Sequence, residues 1–195
     1  MERMNPQAEL MNPQLNLFFD TSQASFYKKN NQNFINALTV QQLPALQNLA
    51  LLDIYLSGGN IVEPHWHPNA AELVYVVSGE LIVSVLNPFT NMLMTYRLKP
   101  QQTVLIPMGW FHWDLAVADN THFIAVFDNN APQTVLGSSV LSKTPKEIFQ
   151  LSYGVNGEQL SQVLSPIKGP VVIGPPAPAR GGDGVQWRVG NAQRL

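Results

Sequence analysis

From Phe34 to Asn130 the chain is a series of short apolar or alternating runs, each closed by residues that reverse a backbone. Leu46 to Leu56 stops at Ser57-Gly58-Gly59, Leu73 to Val77 at Ser78-Gly79, and Leu81 to Leu86 at Asn87-Pro88. Thr103 to Ile106 stops at Pro107-Met108-Gly109, His112 to Val117 at Asp119-Asn120, and Thr121 to Phe127 at Asp128-Asn129-Asn130. Between them Met92, Met94, Tyr96 and Leu98 alternate with Leu93, Thr95 and Arg97, the period of two that one buried sheet face requires. Short strands at this spacing predict an all-β sandwich or barrel.

Only the ends depart from this pattern. Residues 1–33 read as an N-terminal arm, with Met4-Asn5-Pro6-Gln7 repeated at Met11-Asn12-Pro13-Gln14 and a proline in each copy that argues against a coiled coil. Such an arm is expected to lie along a neighbouring subunit, so a homo-oligomer is expected. Residues 34–165 form the barrel plus a helical pair. Thr144-Pro145-Lys146-Glu147 has the form of a capping box, Gly154 that of a stop, and a second helix is predicted from Gly157 to Leu164 with Asn156 as cap. Residues 166–195 are a tail rich in proline and glycine.

Composition removes several functions. The formal net charge of −2 gives no footprint for a nucleic acid or an anionic membrane. No apolar run approaches the roughly 20 residues of a membrane span. The absence of cysteine excludes disulfides, thiolate metal sites and cysteine nucleophiles. The start Met1-Glu2-Arg3-Met4 lacks the form of a signal peptide, so a cytoplasmic location is expected.

Two of the four histidines stand one residue apart, in Glu63-Pro64-His65-Trp66-His67-Pro68. In a strand, residues i and i+2 project to one side, so His65 and His67 point together and Trp66 points away. Pro68-Asn69 is a turn signal, and a chain doubling back there aims Glu72 at the same space. Two imidazoles and a carboxylate make a partial metal shell. Pro107-Met108-Gly109 reverses the chain just before His112, which makes His112 the leading candidate to complete it. His122 opens a strand with no such turn and reads as a packed or solvent-facing histidine. Trp66, Trp110 and Trp113 read as packing residues, and Glu63 as a rim carboxylate exposed to water, with proton donation the sharper alternative.

With these positions fixed, the chain resembles the cupin family. Gly59-x5-His65-x-His67-x4-Glu72-x6-Gly79 matches the first cupin motif at every defining position, and Pro107-x-Gly109-x2-His112 matches the core of the second. Gln101 stands where the second motif usually opens with glycine, and Ala116 where it usually has asparagine. The resemblance implies a double-stranded β-helix, or jelly-roll barrel, over about residues 35 to 165. It also implies a metal held by His65, His67, Glu72 and His112: manganese first, with iron, zinc, cobalt and nickel as alternatives.

Within cupins the chain is similar to one half of a bacterial oxalate decarboxylase and, secondarily, to germins. His65-Trp66-His67, Phe127-Asp128 and Thr144-Pro145-Lys146-Glu147 carry that likeness. It implies a metal-dependent decarboxylase, or an oxidase or dioxygenase, acting on a small oxygenated molecule. Two residues do not carry over. The decarboxylases hold the substrate carboxylate with an arginine three positions before the first metal histidine, where this chain has Val62. Their lid carboxylate has no counterpart in the connection Asn129 to Leu136. A lost charge-assisted hydrogen bond costs about 1.5–3 kcal/mol, so oxalate itself is disfavoured. The sequence assigns no catalytic acid or base. The other function open at this point is a non-catalytic structural, storage or spore-type cupin that keeps an idle metal site.

Overall fold

The turn residues set the strand lengths. In the computed structural model, residues 11–176 are described; the first copy of the tandem repeat and the tail beyond Pro176 lie outside them. The strands are β1 (Ser25–Asn30), β2 (Asn33–Leu38), β3 (Ala50–Leu56), β4 (Ile61–Trp66), β5 (Glu72–Ser78) and β6 (Leu81–Asn87). They continue as β7 (Met92–Leu98), β8 (Thr103–Ile106), β9 (His112–Ala116), β10 (Thr121–Phe127), β11 (Val135–Leu136) and β12 (Ile173–Gly174). One antiparallel sheet runs β1-β2-β3-β10-β5-β8; the other runs β11-β4-β9-β6-β7, with β12 also pairing β4. This is the all-β barrel that the spacing of runs predicts, in the jelly-roll form that the resemblance implies.

Period two decides what fills it. On β10, Thr121, Phe123, Ala125 and Phe127 are buried and the residues between are half-buried; on β5, Glu72, Val74 and Val76 face in while Leu73, Tyr75 and Val77 stay exposed. With Ile54, Leu56, Leu81, Val83, Val85 and Ile106 these side chains make one core between the sheets. Gly79 is fixed by proximity as much as by its φ of +75°. A Cβ there would sit 2.4 Å from Thr121 Oγ1 and 2.5 Å from Thr121 Cα. Gln101 adopts a left-handed φ of 71° without being a glycine, so the turn before β8 is kept under strain. Backbone pairing likewise covers the missing asparagine, since Ala116 joins the Gly59 turn through Gly59 N–H to Ala116 O at 2.8 Å and Ala116 N–H to Asn60 O at 2.9 Å.

At the ends, β1 lies within the stretch read as an arm and pairs antiparallel with β2. Three helices follow the barrel: α1 (Gly137–Lys143), α2 (Lys146–Tyr153) and α3 (Gly157–Leu164). α3 is capped by Asn156, whose side chain accepts from Gln159 N–H, and α2 ends at left-handed Gly154, both as predicted. α1 was not predicted, and it takes the residue expected to cap α2. The Thr144 hydroxyl donates to Val140 O at 2.7 Å, closing α1, while Pro145 at the start of α2 offers no side-chain cap.

Candidate metal centre

β4, β5 and β9 bring the four predicted ligands together. His65 lies near the end of β4 and His67 just past it; Glu72 opens β5 and His112 opens β9. His65 pairs across strands with His112. Each residue offers one donor atom, and the four atoms all lie within 4.8 Å of one another. All four side chains are buried, His112 completely.

The backbone fixes which nitrogen faces inward. His65 Nδ1 lies 2.6 Å from Glu63 O, His67 Nδ1 2.8 Å from Gln133 O, and His112 Nδ1 2.9 Å from Trp110 O. A carbonyl oxygen only accepts, so each Nδ1 carries a proton and donates it, which leaves Nε2 turned to the shared space. Metal-binding imidazoles are held in this way. The Thr134 hydroxyl adds a contact to His67 Nδ1 at 3.2 Å, and Phe127 packs edge-on against the His67 ring.

Glu72 Oε2 sits 3.0 Å from His112 Nε2 and 3.2 Å from His67 Nε2. The second approach lacks the alignment of a hydrogen bond, and His67 Nε2 is a buried atom with no partner among the described residues. Burial pushes Glu72 toward the neutral acid, but the hydrogen bond from His112 and the close approach of His67 outweigh it and hold the carboxyl well below its usual range. Burial likewise opposes charge on His112, yet the Glu72 carboxylate beside it raises its pKa to about 9. His65, buried and close to His112, is pushed down to about 3. The protein alone thus holds an imidazolium–carboxylate pair, His112 with Glu72, beside the neutral imidazole of His65. One cation at the common point would satisfy the orphaned nitrogen and replace the proton. Three neutral nitrogens and one carboxylate fit a first-row divalent ion.

Position by position, these residues are those of the two motifs, with His65, His67 and Glu72 from the first and His112 from the second. The family model described as "Cupin" matches residues 19–161. This chain is a cupin. It is 30% identical over 138 residues to germin-like protein 1-2 of Oryza sativa subsp. japonica, which covers 67% of this chain and 61% of that protein. It is 31% identical over 134 residues to legumin B of Pisum sativum, covering 67% of this chain and 39% of the legumin. Among solved structures, oxalate decarboxylase from Bacillus subtilis superposes with a TM-score of 0.72 at 26% identity, over 82% of this chain and 41% of the decarboxylase. The cupin therefore spans less than two thirds of the length of these curated relatives.

Other residues singled out in the sequence fall into place around the barrel. His122 is a packed histidine, paired with Asp53 at 2.6 Å and stacked on Tyr55. Trp66, Trp110 and Trp113 are half-buried; Trp66 and Trp113 each pack against Phe111, and Trp110 packs on the core. Val62 is buried in the barrel, so it offers the interior neither charge nor hydrogen bond.

Glu63 is not an exposed rim carboxylate. It is 5% exposed and accepts from Ser138 N–H at 2.7 Å, the Ser138 hydroxyl at 2.8 Å, Val171 N–H at 3.0 Å and Val172 N–H at 2.7 Å. An irregular register between Val62 and His65 lets both Val62 and Glu63 be buried, on opposite sides of β4. The connection Asn129 to Leu136 is strapped to the metal strand rather than hung over it. Val135 and Leu136 pair with Trp66 and His65, and Gln133 N–H donates to Asn69 Oδ1 at 2.7 Å.

Sequence reading missed Asp114. It follows His112 by two, so period two puts it on the same inward face, and that was the available signal. It is 1% exposed, and its Oδ1 has no hydrogen-bond partner among the described residues. Burial, and then the Glu72 carboxylate, raise its pKa to about 7, with His112 pulling the other way. The cleft of about 440 Å³ between Trp66, Phe111, Val140 and Ile167 is a separate feature, since none of the four ligands lines it.

Proposed function

We propose that this cupin is a metal-dependent enzyme acting on a small oxygenated molecule, by decarboxylase-type or oxidase/dioxygenase-type chemistry. Its ion is manganese, with iron, zinc, cobalt and nickel as the alternatives, held by His65, His67, Glu72 and His112. The observation that carries this reading is the triple Nδ1 anchoring, which aims three Nε2 atoms at one carboxylate and leaves His67 Nε2 without a partner. The Mn(II) centres of the Bacillus subtilis oxalate decarboxylase, a structural relative at 26% identity, support manganese as first choice. When bound, such an ion supplies Lewis-acid polarisation of a substrate oxygen. The protein's own part is to orient the ligands through three carbonyls and to keep them dry. Val62 and the strapped connection supply neither the cation nor the carboxylate that oxalate turnover in the decarboxylases implies.

The test is elemental analysis of the protein as purified, followed by turnover on a panel of small carboxylates, diketones and phenols. A stoichiometric first-row ion and turnover are expected. Protein that carries no such ion, and whose stability is unchanged by His67→Ala, would sink the site and the enzyme together. The second reading, an idle-site storage-type cupin, is favoured by the 31% identity to legumin B. Full metal occupancy without turnover on the panel would select it. Self-association is part of the proposal, supported by the exposed outer face where Leu73 pairs with Leu105 beside Tyr75 and Val77; light scattering on the purified chain tests it.

A further inference from the structure

On the outer side of β4, the cleft of about 440 Å³ is lined by Ile61, Pro64 and Trp66 of that strand and by Phe111 just before β9. Val140 of α1 and Ile167, ahead of β12, complete it. Glu63 and Ser138 also reach it, but they are spent on each other. Ser138 N–H donates to Glu63 Oε2 at 2.7 Å and the Ser138 hydroxyl to Glu63 Oε1 at 2.8 Å. Trp66 and Phe111 pack with ring centroids 6.2 Å apart, and both stay half-buried. Val140 and Leu141 are 38% and 40% exposed. Such a lining suits apolar and aromatic groups and offers nothing to an ion. The four candidate metal ligands take no part in it.

The chain carries such groups close by. Gly174 lines the cleft, and the described residues end two positions later at Pro176. Residues 177–184 read Ala-Pro-Ala-Arg-Gly-Gly-Asp-Gly, and Val185-Gln186-Trp187-Arg188-Val189 follows. Three apolar residues alternate there with two polar ones, the period of a strand with one face to bury. Trp187 is the only aromatic residue of 177–195. A link the length of residues 177–184 reaches up to about 30 Å, several times the width of the cleft. It also holds its end near the cleft at an effective concentration of about millimolar, which favours the same chain over a second copy at micromolar protein.

We propose that residues 185–189 of the same chain dock in this cleft, with Trp187 seated against Trp66, Phe111 and Val140. Val185, Trp187 and Val189 then cover apolar surface that the described residues leave open, and Gln186 and Arg188 face solvent. Docked in this way, the tail clamps α1 and the segment before β12 against the strand that carries His65.

The chain has no cysteine, so introduced pairs report the contact directly. Full-length variants carry Leu141→Cys in the cleft with either Gln186→Cys or Arg188→Cys in the tail, and disulfide formation is timed on gels without reductant. In the controls the partner is Val163→Cys, on α3, 73% exposed and outside the cleft. Val163 is nearer to the tail in sequence, so random encounter favours the control. From the Leu141 position, at least one tail cysteine is expected to form an intrachain disulfide roughly tenfold faster or more than from the Val163 position. Adding Trp187→Ala should bring that rate down to the control, while Trp187→Phe should hold it within about threefold. A rate from the Leu141 position that does not exceed the control, or that Trp187→Ala leaves unchanged, would overturn the docking. Disulfides that form only between two chains would overturn the same-chain contact and give the cleft to the tail of a second copy. If Leu141→Cys does not fold, Val140→Cys takes its place with the same expected rates.

Discussion

Glu63 and Asp114 are both buried acids, one on β4 and the other across from the adjacent Val62 on β9, yet their surroundings are opposite. Glu63 points out of the barrel and accepts four hydrogen bonds that tie β4 to α1 and to the segment entering β12. Asp114 points in, and its Oδ1 accepts none. The sheet is one residue thick, so a carboxylate on one side can be a structural clasp while a carboxyl on the other is a liability to the fold. A buried charge with its full complement of donors is explained by folding alone. A buried acid without them is a cost to the fold.

The largest expected effect comes from breaking the satisfied member. Glu63→Ala strands the buried Ser138 N–H and the half-buried Val171 and Val172 N–H groups, at about 3–5 kcal/mol in sum. Thermal unfolding should fall by roughly 6–20 °C. A drop within error of a surface substitution would remove the clasp from the account. His65 hangs from the Glu63 carbonyl, so metal affinity should weaken in the same variant.

Next is the unsatisfied member, where the sign depends on pH. The folded pKa of Asp114 is raised to about 7 from the ordinary 3.8. Its contribution is thus most favourable below pH 3.8 and is lost as pH rises through 7. Asp114→Leu should therefore raise the melting temperature of the metal-free protein by more at pH 8 than at pH 5. An equal shift at both values would show that Asp114 ionises freely in the fold.

Between the two acids lies the pair that a metal must open. His112 keeps its proton up to about pH 9, and a bound ion has to displace it. Mn(II) affinity should rise about tenfold per pH unit from pH 6 to 8, with close to one proton released per ion. Calorimetry in buffers of different ionisation enthalpy counts that proton, and a count near zero would place the neutral imidazole in the free protein. The smallest effect concerns strain rather than charge. Gln101→Gly relieves a left-handed residue worth about 1–2 kcal/mol and adds backbone entropy worth about 0.5–1, for a net gain of about 0.5–1 kcal/mol in chemical denaturation.

The convergence of the four candidate ligands was legible because each of its rules is local. Period two aligns His65 with His67, a turn returns Glu72, and Pro107-Met108-Gly109 introduces His112. Turn residues likewise marked β5 to β10 to within a residue or two. Glu63 was not legible, because its donors stand 75 to 109 residues away, on a helix with no capping signal and in the segment entering β12. That helix also begins against β4 so closely that a Cβ on Gly137 would lie 2.7 Å from Pro64 O, a contact that no local pattern announces. β1 escaped for another reason: its sequence Ser-Phe-Tyr-Lys-Lys-Asn is mostly polar, as an exposed edge strand allows. Asp114 obeyed period two but was passed over, since the search was for ligands.

The strapped connection after β10 has a kinetic consequence. Gln133 lends its carbonyl to His67 and its amide to Asn69, and Val135 and Leu136, two and three residues on, share a ladder with Trp66 and His65. Releasing that segment would mean unpicking the metal strand and letting a liganding ring turn. Its amides should therefore exchange with solvent at the pace of β4, and molecules should reach the four candidate ligands without waiting for a door to swing.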